Sequence, residues 1–114
     1  MNPQHEKWLA QIRKGFIELC VLTALDKKQS AYGLSLLQTF EQAKLSINEG
    51  TLYPLLNRMQ KNGLLTSHWE PPSDGGHPRR FYALSPDGKA ALPLMLASYN
   101  NNHASLAFLQ ELNP

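Results

Sequence analysis

Wound at about 3.6 residues per turn, the stretch NEGTLYPLLNRMQKNGLL (residues 48–65) brings Gly50, Tyr53, Pro54, Asn57, Arg58 and Lys61 to one side. The charged members of that side are both basic, and the others are small or able to hydrogen-bond. Such a side suits a nucleic-acid duplex, because phosphates repel carboxylates and the major groove admits one helix of modest side-chain bulk. Asparagine pairs bidentately with adenine and arginine with guanine, so Asn57 and Arg58 are candidate base readers. Thr51 and Tyr53 carry hydroxyls near a helix N-terminus, whose partial positive charge also favours phosphate oxygens. Polar residues opposite an apolar stripe more often do nothing beyond meeting solvent. Tyr53 has a second option, folding over its own helix to pack on a neighbouring hairpin.

A second basic group follows. GGHPRR places His77, Arg79 and Arg80 on or beside a flexible tip between two extended segments. A basic hairpin tip can reach a minor groove or a phosphate backbone. Alone it is a solvated loop, but helix and basic wing in this order point together to DNA. Pro54 fits the same picture. Its ring opposes the carbonyl of residue 50, four back, and Gly50 gives the backbone the most room to adjust. An exposed proline there also offers a flat apolar surface to a thymine methyl.

Other chemistries are weakly represented. His5, His68, His77 and His103 lie far apart and no pair has metal-ligand spacing, so neither a metal nor a cofactor is expected. Cys20 sits in an apolar run, reads as a buried small hydrophobe, and cannot form an intrachain disulfide as the single cysteine. No P-loop, GxGxxG or nucleophile elbow occurs, and an enzyme is not expected. With 114 residues, 42% of them hydrophobic and 18% charged, the chain fits one compact domain of net charge +2. No apolar run approaches the roughly 20 residues a membrane-spanning helix needs. The N-terminus shows no signal-peptide core, so a cytoplasmic protein without membrane association is expected.

The elements that must position these residues follow from hydrophobic spacing. A first helix is predicted from about His5 to Lys28, with Leu9, Ile12, Phe16, Leu19, Cys20 and Leu22 recurring at helical spacing. Gly15 marks a bend in it or a close approach by another helix. Ser30 is a candidate cap for a second helix, AYGLSLLQTFEQA, whose Leu34, Leu37 and Phe40 face inward. Gly33 near its start suggests tight packing against a neighbour. The third helix buries Leu52, Leu55, Leu56 and Met59 and stops at Gly63. Asn48 is its candidate cap, while Ser46 with Glu49 also fits a capping box, leaving the start open by a residue or two. LLTSHWE (64–70) and RRFYAL (79–84) read as two strands of an antiparallel hairpin. Ser85-Pro86 opens a last helix, in which Pro93 is expected to kink the axis and the Asn100–His103 run can break it.

With these residues in place, the sequence resembles the PadR family of bacterial transcriptional regulators. The likeness rests on GTLYPLLNRMQKNGLL (50–65), GGHPRRFYALSPDGKAAL (75–92) and YG (32–33). It implies a mainly α (α+β) winged helix-turn-helix with an N-terminal extension and a long C-terminal dimerisation helix. Residues 1–85 would form the DNA-binding domain and 86–114 the dimerisation helix, in the manner of the compact branch with a single terminal helix. It further implies a repressor that binds a palindromic operator on double-stranded DNA as a homodimer. Thr51, Tyr53 and Pro54 match the family's TLYP positions, and Pro78 and Arg79 its wing. His77 stands where arginine is common, Phe81 replaces a tyrosine, and Gln60 and Asn62 replace charged residues. The expected DNA-contacting set is therefore Gly50, Thr51, Tyr53, Pro54, Asn57, Arg58, Lys61, His77, Arg79 and Arg80. By the same resemblance, a small aromatic or hydrophobic effector would enter at the dimer centre, with Trp8, Ile12, Met95, Tyr99 and Phe108 lining it or packing the dimer interface. The alternative is a winged-helix module that binds only protein.

Overall fold

The computed structural model describes all 114 residues. Helix α1 spans Pro3–Lys28, α2 Gly33–Gln42, α3 Glu49–Lys61 and α4 Pro86–Gln110. Strand β1 is Ala31–Tyr32, β2 Leu65–Glu70 and β3 Arg79–Leu84, forming an antiparallel sheet of order β1-β3-β2. The order is that of a winged helix-turn-helix with a long terminal helix.

Each helix start has a local cause. Asn2 accepts a hydrogen bond from the His5 amide at 3.1 Å, and Pro3 fills the first turn of α1 where its missing N–H costs nothing. Asn48 accepts from the Thr51 amide at 3.0 Å, which resolves the start of α3 in favour of Asn48 as cap. Ser85 caps α4 by accepting from the Gly88 amide at 3.0 Å, and its hydroxyl donates to the Gly63 carbonyl, tying α4 to the turn between α3 and β2. That turn needs Gly63, whose φ of +84° is left-handed. Gly63 N–H donates to the Gln60 carbonyl and Leu64 N–H to that of Met59, closing the helix in a Schellman motif.

The core is one cluster of 16 buried side chains drawn from every element. Leu52, Leu55, Leu56 and Met59 all lie in it, as the periodicity of α3 requires. α1 contributes Ile17, Leu19, Val21, Leu22 and Leu25, all from its second half, and α4 contributes Leu92. The first half of α1 is the N-terminal extension: Trp8 and Ile12 are half-exposed there, and from Ala97 onward α4 is exposed as well.

Two expectations are corrected and two open readings are narrowed. Ser30 does not cap α2, because Ala31 and Tyr32 pair with Tyr82 and Phe81 as a third strand and the helix starts at Gly33. With that start Leu36 turns into the core, while Leu34 is exposed. Gly15 has nothing within 4 Å of the place a β-carbon would occupy, so no helix of the same chain approaches it closely. α4 runs unbroken through both Pro93 and Asn100–His103. Pro93 is exposed, so the carbonyl it leaves without a helical donor is not sealed in an apolar core.

Candidate nucleic-acid interface

On α3, Gly50, Thr51, Tyr53, Pro54, Asn57, Arg58 and Lys61 are all exposed, opposite the buried stripe. Burial of the four apolar residues forces this outcome, since helical spacing leaves the others nowhere else to go. Beside them runs an open cleft of about 730 Å³ lined by Pro54, Asn57, Arg58, Gln60, Lys61 and Arg80. Its charged groups are three cations and no carboxylate.

Arg80 enters this cleft from β3 in a fixed posture. Its guanidinium donates to Gln60 Oε1 of α3 at 2.6 Å and to Ser67 Oγ of β2 at 3.0 Å, and it stacks 5.2 Å from the Tyr82 ring centroid. Ser67 Oγ also donates to Gln60 Oε1 at 3.1 Å. Helix and wing are thus braced against each other by one half-buried arginine. The sequence puts Arg80 beside the tip, in the strand RRFYAL, and the structure keeps it in that strand as part of β3.

Arg79 faces the other way, because alternate strand residues point to opposite faces. It lies 4.8 Å from the Tyr32 ring centroid and 3.7 Å from the Asp74 carboxylate. The Gly76 amide, Asp74's own backbone and Arg79, in that order, hold the Asp74 carboxyl below its ordinary range. Phe81 shares this far face, between Tyr32 at 5.3 Å and His68 at 5.8 Å. His77 stands exposed in the loop between the strands. The structure therefore gathers Pro54, Asn57, Arg58 and Lys61 with Arg80 in one cleft, and leaves Gly50, Thr51, Tyr53, His77 and Arg79 outside it.

Tyr53 is partly covered rather than free. Its ring lies over Gly33 at the start of α2, where a β-carbon would overlap it. Its packing partner is thus the start of α2, with Tyr82 of the hairpin also nearby. Burial first, then the nearby Glu49 carboxylate and Tyr82, raise its phenol above the ordinary value, so the hydroxyl stays protonated and able to donate at neutral pH.

A smaller pocket that shares Arg58 with this cleft is lined in part by Arg13, Lys14, Ser46 and Thr51. Arg13 donates to the Ser46 carbonyl at 2.7 Å, fixing the turn that leads into the α3 cap. Basic side chains therefore continue from the cleft onto α1. Arg13 and Lys14 are not legible as neighbours of this site in the sequence, because their proximity depends on chain packing and no local spacing carries that signal.

The expected interface and effector residues divide. Ile12, Met95 and Tyr99 line a mostly apolar cleft of about 900 Å³ between α1 and α4, together with Leu9, Phe16 and Leu94. Phe16 and Tyr99 meet there at 5.8 Å between ring centroids. Trp8 stacks on His5 at 6.1 Å and Phe108 is 69% exposed, and neither lines the cleft.

Comparison with known proteins points one way. The model of the "Transcriptional regulator PadR-like family" matches residues 21–93. A PadR family transcriptional regulator from Eggerthella lenta has a similar structure, with TM-score 0.82 and 28% identity over 95% of this chain and 93% of that one. A PadR-like transcription factor from Bacteroides fragilis gives 0.77 and 33%, over 90% and 98%. The curated transcriptional regulator Rv3488 of Mycobacterium tuberculosis is 39% identical over 61 residues, 54% of this chain and 55% of that protein, so the match spans just over half of the relative's length.

Proposed function

The chain belongs to the PadR-like family of DNA-binding transcriptional regulators, and from that premise we propose that it is a repressor acting as a homodimer on a palindromic operator. One observation carries the reading of the site. The exposed side of α3 and the braced Arg80 share a cleft whose charges are all positive. Asn57 and Arg58 are the proposed base readers, with Thr51, Tyr53 and Lys61 on phosphates and Gly50 and Pro54 allowing close approach. His77 and Arg79 reach the backbone or minor groove from the wing tip.

The homodimer is supported by apolar side chains that this chain alone leaves in water. Trp8, Ile12, Leu94, Tyr99 and Phe108, on α1 and α4, are each 45% exposed or more. In this reading residues 1–85 carry DNA recognition and 86–114 dimerisation, with the first turns of α4 also anchored in the shared core. Two α3 helices would enter successive major grooves, with half-sites about one helical turn, near 10 bp, apart. The α1–α4 cleft would take a small aromatic or hydrophobic effector that shifts the angle between wings. The protein would work in the cytoplasm, where its operator is, and no helix is long and apolar enough to cross a membrane.

The test is duplex binding against salt, with protection mapping on the region upstream of the chain's own gene. A steep loss of affinity with salt and a two-fold symmetric footprint are expected. Salt-independent or absent duplex binding would instead favour a module that binds only protein. Sedimentation that shows a monomer at micromolar concentration would remove the dimer.

A further inference from the structure

Strand register divides the wing into two unlike faces. Leu65 pairs with Leu84, Ser67 with Tyr82 and Trp69 with Arg80, so these six side chains share one face. Leu65, Tyr82 and Leu84 are buried, and Ser67 is bonded to Gln60 of α3, so this face is the one turned toward α3. The other face holds Arg79 beside Asp74 and His68 within 3.2 Å of Glu70, with Phe81 stacked on His68 and edge-on to Tyr32.

Trp69 is the exception. It lies on the α3-facing side, directly across from Arg80, yet it is 66% exposed and no ring or guanidinium stacks on it. An indole left in water beside a cleft of three cations has an anionic counterpart with apolar edges available: a duplex strand, with phosphates for Arg58, Lys61 and Arg80 and the sugar carbons for the ring.

We propose that Trp69 is a DNA-contacting residue, its indole packing on the sugar–phosphate strand that borders the α3–wing cleft. The assignment rests on the reading that α3 and the wing face the duplex. It adds an apolar contact to an interface otherwise built from charge. Such a contact is insensitive to base sequence and keeps the wing seated whichever bases α3 reads.

The chain has two tryptophans, so the Trp69 signal is taken as the difference between the parent chain and Trp69→Phe, which leaves Trp8 in place in both. Both are titrated with a mixed-sequence duplex of about 30 bp at low salt, where non-specific binding is strongest. Binding is read independently by anisotropy of an end-labelled copy. At saturation the Trp69 emission should change and its quenching by acrylamide fall by about half or more. In the otherwise unaltered chain, Trp69→Ala should weaken binding about tenfold and Trp69→Phe less than about threefold, the order expected for losing or keeping one large apolar contact. Neither variant should shift the melting temperature, since the side chain is exposed. Binding by anisotropy with unchanged emission and acrylamide access would overturn this assignment and leave the α3 reading standing. No binding at any salt would overturn both. Protection of Trp69 that grows with protein concentration, with no DNA present, would assign the indole to a protein contact and overturn it too.

Discussion

The ring of Tyr53 on α3 lies over Gly33 at the first residue of α2, so close that a β-carbon at Gly33 would overlap it. Two short sequence signals, YG at 32–33 and LYP at 52–54, are thereby the two halves of one contact that sets how α2 and α3 meet. Gly33→Ala should destabilise the fold by about 1–3 kcal/mol, the usual cost of overpacking, as read by chemical denaturation. Gly33→Ala combined with Tyr53→Ala should recover part of that loss, since the obstructing ring is gone. If the double variant is no more stable than Gly33→Ala alone, the contact is not what requires glycine.

Arg80 braces the wing and also borders the cleft, and the two roles separate by salt dependence. Arg80→Ala should weaken duplex binding and lower the slope of log affinity against log salt by about one, as for one lost phosphate contact. Gln60→Ala frees the guanidinium without removing its charge. Binding should then weaken while the slope is kept. Equal slopes for Arg80→Ala and the parent chain would restrict Arg80 to bracing.

The turn that ends α2 is a Schellman closure like that of α3, with Lys44 N–H donating to the Glu41 carbonyl and Leu45 N–H to that of Phe40. Its left-handed position, φ +61°, is held by a lysine where glycine is the least strained residue. Lys44→Gly should therefore raise stability by up to about 1 kcal/mol, seen as a higher denaturation midpoint with an unchanged slope. A loss of stability would mean that the Lys44 side chain contributes more than its backbone costs.

At the wing tip the Asp74 carboxylate accepts the Gly76 amide at 3.0 Å, the largest cause of its lowered pKa, with Arg79 a lesser one. A carboxyl depressed in the folded chain contributes order that is present above its ordinary value, 3.8, and is lost as pH falls through the lower folded one. Carboxyl titration by NMR should place the midpoint below 3.8, with the Gly76 amide shift moving in step. Arg79→Ala should recover only part of the depression. A midpoint at or above the ordinary value would contradict the turn geometry.

Helix α3 is the most legible element. Leu52, Leu55, Leu56 and Met59 recur at helical spacing, Asn48 and Gly63 mark the ends, and burial of the stripe leaves Asn57, Arg58 and Lys61 facing out. These are local patterns, read within a few turns of one segment. β1 was not legible, because two residues carry no period and Ala31 and Tyr32 become a strand only by pairing with β3. The unbroken α4 ran against local propensity at Pro93 and at Asn100–His103.

By itself the sequence determined the order of elements, the buried stripe of α3 and the sign of charge near the wing, because composition and spacing are carried along the chain. Tertiary structure decided which of two neighbouring arginines shares the cleft with α3. Arg79 and Arg80 must point to opposite faces of β3, and the choice between them follows from Tyr82 and Leu84 packing in the core while Phe81 meets Tyr32 edge-on on the other face. The same register put Trp69 beside Arg80. Strand alternation makes both placements a single decision, and only the packing of the sheet against α3 could make it.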